Sequence, residues 1–195
     1  VQNGRECLIA TAAFGSELNT EVQFLRNFRD GYIMKTVSGA SFMSAFNAWY
    51  YSFSPYVADY ERSNSIAKES IKYAIYPLIG ILHLSENGFH TSGNQELSAI
   101  FSGFVASSMI GAVYLTPLTY SIRHIRTKKP VHRIFVAVFG SILVALLLAI
   151  SSGNESVLMI ATSAFVLSTV VSISIYAAHY INSLHGWLRS IASTQ

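Results

Sequence analysis

The chain divides by hydrophobic pattern before any motif is considered. Its second half carries three unbroken apolar runs, residues 97–122, 134–152 and 156–178, which are 26, 19 and 23 residues long and hold no Asp, Glu, Lys, Arg or His. A helix needs about 20 apolar residues to cross the hydrocarbon core of a bilayer, so each run predicts a transmembrane helix. Gly153-Asn154-Glu155 reads as a tight turn between the second and third, and residues 123–133 as a polar loop between the first and second.

The first half lacks such runs and reads as short amphipathic helices. Thr20-Glu21-Val22-Gln23 has the form of a capping box. Val22, Leu25 and Phe28 then share a face, with Asp30-Gly31 closing the helix. Over 39–53, Phe42, Phe46, Trp49, Tyr50 and Phe53 recur at helical spacing. Ser54-Pro55 is expected to start a third helix, because Ser caps well and Pro suits the first helical position, and Ser65 to cap a fourth. The segment 71–85 is ambiguous. Its apolar part, 73–84, is 12 residues long and contains Pro77, Gly80 and His83, so it is expected to be interfacial or re-entrant rather than spanning. No strand signal and no internal repeat is present. The expected fold is therefore all-α and integral to a membrane, with short amphipathic helices on the extracytoplasmic face followed by about three transmembrane helices. The expected divisions are 1–70 (extracytoplasmic), 71–96 (interfacial or re-entrant) and 97–195 (spans with a cytoplasmic tail).

Charge sets the orientation. Residues 1–96 carry a net charge of −2 and residues 97–195 one of +5, and five of the thirteen basic residues, Arg123, Arg126, Lys128, Lys129 and Arg133, lie in the single loop between the first two spans. That is the signature of a cytoplasmic loop under the positive-inside rule. It gives an extracytoplasmic N-terminus and a cytoplasmic C-terminus in a multi-pass protein of the cell membrane. The sequence begins with Val1 rather than Met and has no apolar leader, so a removed signal peptide or a longer parent protein is expected. The loop also accounts for the basic pI. Nucleic acid is not an expected partner, because Arg62 is the only basic residue between Gly39 and Lys68, where the aromatics cluster.

Candidate chemistry is sparse. His83, Glu86 and His90 have metal-like composition, and His83 and Glu86 would share a helix face. Such a set suits copper, zinc or non-haem iron, although histidines near a membrane surface are also commonplace. His179 and His185, with Tyr180 and Trp187, sit where the last span ends and read as interfacial anchors. His124 and His132 belong to the basic loop and would face lipid headgroups. Spans without ionisable residues argue against a transporter or an intramembrane enzyme acting alone. Gly103, Ser107 and Gly111 in the first span, and Ala164, Ser168 and Ser172 in the third, place small residues four apart. Such faces allow close helix approach, within the chain or to another membrane subunit. No catalytic residue and no cofactor is expected, only lipids at the membrane interface.

The run Cys7-Leu8-Ile9-Ala10-Thr11-Ala12-Ala13-Phe14-Gly15-Ser16 resembles the opening of the CFI-box family, which reads approximately C-F-I-A-T-A-A-Y-G-S. The likeness continues through Glu21-Val22, Leu25 to Asp30, Gly39, Phe42, Tyr50-Tyr51 and Ser54-Pro55, covering about residues 7–60. Leu8 for Phe and Phe14 for Tyr are conservative departures. The resemblance implies an exported bacterial or archaeal protein with no assigned reaction. In combination with membrane helices it looks most like the versions in ammonia-oxidising archaea. Cys7, the only cysteine, can be a buried small residue, a thiolate ligand or a modification site; with no nearby His, the packing role is favoured. The expected function is a non-catalytic accessory subunit of a membrane complex, in its most specific form an ammonia-monooxygenase-type assembly. The alternatives are a membrane anchor or sorting module of a longer exported protein, and a metal protein using His83, Glu86 and His90. The expected partners are other integral membrane subunits and lipids.

Overall fold

A computed structural model describes residues 7–89, 93–121 and 131–192, with side chains described for 7–87, 93–121 and 139–184. Every described element is helical: α1 (Leu8–Phe14), α2 (Thr20–Asn27), α3 (Val37–Ser63), α4 (Ser65–Phe89), α5 (Gln95–Ile110), α6 (Thr116–Ser121), α7 (Val131–Ser152) and α8 (Glu155–Ala192). A π turn, Phe28–Tyr32, and a 3-10 turn, Ile33–Lys35, carry α2 into α3, and a second π turn, Gly111–Leu115, joins α5 to α6. This second π turn lies just before Pro117, whose missing N–H breaks the regular ladder.

Side-chain contacts fix the helix directions. Ser102 Oγ donates to the Ser85 carbonyl at 2.9 Å, and the Tyr114 hydroxyl donates to the Ala74 carbonyl, so α4 and α5 are antiparallel along most of their length. Phe104 meets Phe165, Gly111 meets the Val170 backbone, and Thr119 Oγ1 lies 2.9 Å from Ser174 Oγ, so α5–α6 and α8 are parallel. The Glu96 carboxylate accepts from the Val37 and Ser38 backbone N–H groups and from Ser38 Oγ at 2.7 Å. Together with Thr36 Oγ1, which accepts from Gly39 N–H at 3.1 Å, it caps α3 and pins its start to the start of α5. Thus α3, α5–α6 and α8 run one way while α4 and α7 return. Asn64, Ser121 and Val131 gather at one end; Val37, Glu96 and the turn at Gly153 gather at the other.

The predicted boundaries are corrected in several places. Asn19, not Thr20, caps α2, its side chain accepting from Glu21 N–H at 2.9 Å, while Gln23 Nε2 donates to the Glu17 carbonyl at 2.7 Å instead of closing a capping box. Asp30-Gly31 does not end the helix but lies inside the π turn. Ser54-Pro55 does not start a helix: α3 runs unbroken through Pro55, because tertiary packing of buried Ser54 and Ala58 outweighs one lost ladder bond. Asn64, rather than Ser65, caps α4, accepting from Ile66 and Ala67 N–H. The division expected at 70/71 falls within α4, a 25-residue helix, and residues 37–63 form a single 27-residue helix packed against α8 and α5.

By length and composition, two described helical stretches can cross a membrane, Gln95–Ser121 and Glu155–Leu184; Phe139–Ser152 is a shorter apolar stretch of α7. Their common core is Leu146, Ala149, Leu158, Ala161 and Phe165, with Phe104 and Phe139 against it. Many large apolar side chains of these helices face outward, among them Leu118, Val144, Leu148, Ile160 and Leu167. Such an outer surface suits lipid or a partner and is costly in water.

Candidate functional site

The CFI-like segment forms α1 and its two flanks. Ile9 N–H, one of the unpaired donors of the first turn, donates to the Tyr50 hydroxyl at 3.1 Å, so a side chain of α3 supplies the cap that Cys7 does not. Ala10, Ala12 and Ala13 are buried where α1 packs on α3, and their small size permits the close approach. Gly15 ends the helix at φ +81° with its N–H on the Thr11 carbonyl, a conformation that favours glycine. The space beside it is occupied by Lys68 Nζ, a cation at a helix C-terminus. Ser16 Oγ accepts from Leu18 N–H. Phe14 packs edge-on against Tyr76 at 5.6 Å with Lys72 over its ring. Cys7 is partly buried. Burial raises its thiol pKa, and Arg29 and then Arg26 oppose that rise.

The proposed metal set is only partly described. His83 Nδ1 lies 3.7 Å from Glu86 Oε2, and the imidazole stacks on Phe24 at 3.6 Å; His90 lies outside the described residues. Glu86 is also engaged by the Tyr32 hydroxyl. Among the described residues no group of three His, Cys, Asp or Glu side chains is disposed to hold a metal. Arg123, Arg126, Lys128 and Lys129 lie outside the described residues, as does the side chain of Arg133, whose backbone belongs to α7.

The small-residue face of the first span splits in two. A Cβ on Gly111 would overlap the Val170 carbonyl oxygen and approach its carbon to 3.0 Å, so here α5 and α8 touch backbone to backbone. Gly103 meets nothing within 4 Å of an added Cβ, and Ser107 Oγ turns back to the Gly103 carbonyl at 2.6 Å. Both line a cavity of about 550 Å³. On α8, Ser168 Oγ bonds its own Phe165 carbonyl, and Ala164, Ser168 and Ser172 are half-buried. Phe165, Val170 and Ser174 of α8 meet Phe104, Gly111 and Thr119.

The cavity went unseen in the sequence because its wall draws on every layer: Ile9 of α1, Phe28 and Arg29 of the π turn, Phe46 and Tyr50 of α3, Leu78 of α4, Ala106 of α5 and Phe165 of α8. Comparison with protein-family models, with curated proteins and with solved structures found no match. Two buried polar features were also unforeseen. Glu61 is 1% exposed, and neither carboxylate oxygen has a partner; it follows Ser54 and Ala58 on one face of α3. Arg26 bonds Glu17 through Nη1 at 3.2 Å, while its Nε and Nη2 are buried without an acceptor.

Proposed function

We propose that this chain is a non-catalytic, membrane-embedded helical subunit that docks on a partner membrane protein through the side bearing α1 and α2. Helices α3 and α4 rise about 40 and 37 Å, match α5–α6 in length, and lie alongside it. Residues 37–58 of α3 contain no charge. In this reading α3 and α4 share the bilayer with the apolar helices, which makes five crossings. Exposed Tyr56, Tyr60, Tyr73, Tyr76, Tyr120 and Tyr180 fall within a few turns of the Asn64 end, which supports an aromatic belt at that interface. The same end is flanked in sequence by the basic loop, so it is read as cytoplasmic and the Glu96–Asn154 end as extracytoplasmic.

The observation that carries the docking claim is the charge on α2 and the turns that flank it, at mid-bundle depth. Phe24 stacks on His83 while Gly15 adjoins Lys68, so this hairpin runs beside α4 between the two ends. It carries the Glu17–Arg26 and Arg29–Asp30 ion pairs, and Glu17 and Asp30 are half exposed there. Ionised groups at membrane depth face protein or a water-filled space rather than lipid, so a partner surface is required on this side. The CFI-box resemblance, in its form with membrane helices, is in keeping with an accessory subunit of an ammonia-monooxygenase-type assembly. The test is extraction in mild detergent, blue-native electrophoresis and mass spectrometry of the band containing this chain. Stoichiometric co-migration with other membrane subunits is expected. Migration alone near the chain's 21.4 kDa plus detergent would contradict docking and favour an anchor module.

A further inference from the structure

We draw no further inference here: the strongest candidate, the cavity of about 550 Å³ between α1, the first π turn, α3, α4, α5 and α8, presents a largely apolar wall, and nothing in the structure shows what occupies it.

Discussion

Gly111→Ala tests the helix arrangement at its tightest point. The added methyl would overlap the Val170 carbonyl oxygen and lie 3.0 and 3.1 Å from the Val170 carbonyl carbon and Cα. These are backbone atoms of a continuous helix, so relief comes only by moving α5 and α8 apart. Overpacking of this kind costs about 1–3 kcal/mol. The separation also stretches the nearby Thr119–Ser174 hydroxyl contact of 2.9 Å, worth about 1 kcal/mol. Set against the roughly 1 kcal/mol that Ala gains over Gly in a helix, the net expectation is a loss of about 1–3 kcal/mol. Gly103→Ala is the matched control. It sits two turns earlier on the same helix with open space beside it, and should be neutral or stabilising by up to about 1 kcal/mol. Unfolding of both variants by SDS in mixed maltoside micelles, followed by circular dichroism, measures the difference. Equal tolerance at the two positions would refute the close parallel contact of α5 with α8.

Other consequences follow from the same contacts. Glu96→Ala removes a carboxylate that caps α3 through Val37 and Ser38, and should cost about 2–3 kcal/mol in the same titration. Glu61 is buried with neither carboxylate oxygen hydrogen-bonded. A carboxylate buried without a partner costs stability, so Glu61→Gln, which removes the charge and keeps the shape, should be at least as stable as the parent in the same titration; a clear loss of stability would contradict its lack of a partner. Cys7, its thiol pKa raised by burial, should react with maleimide at pH 7.5 more slowly than a cysteine placed at exposed Asn154; equal rates would contradict its burial.

Residues 97–121 and 156–178 were legible because an unbroken uncharged run has few alternatives to a long buried or spanning helix. Helices α3 and α4 were not, because Ser, Tyr and Asn dilute their hydropathy and Pro55 and Pro77 mimic boundaries. What holds them as single helices is packing between distant segments, as at Tyr50 with Ile9 and Ala74 with Tyr114. Small-residue spacing singled out Gly111, where an added Cβ would meet the Val170 backbone of α8, but spacing alone does not say which residues of α8 lie opposite. The cavity arises where α1, the first π turn, α3, α4, α5 and α8 meet, and no window of sequence carries that information.

The central claim, that α3 and α4 cross the same bilayer as α5 and α8, is tested most directly by the sidedness of two single cysteines. In a Cys7→Ser background, Asn64→Cys marks the α3–α4 turn and Asn154→Cys the α7–α8 turn, and a membrane-impermeant maleimide is applied to intact and permeabilised cells. Labelling of Asn154→Cys from outside, with Asn64→Cys labelled only after permeabilisation, is the predicted result. Labelling of both from the same side would contradict the five-crossing account and return α3 to one face of the membrane.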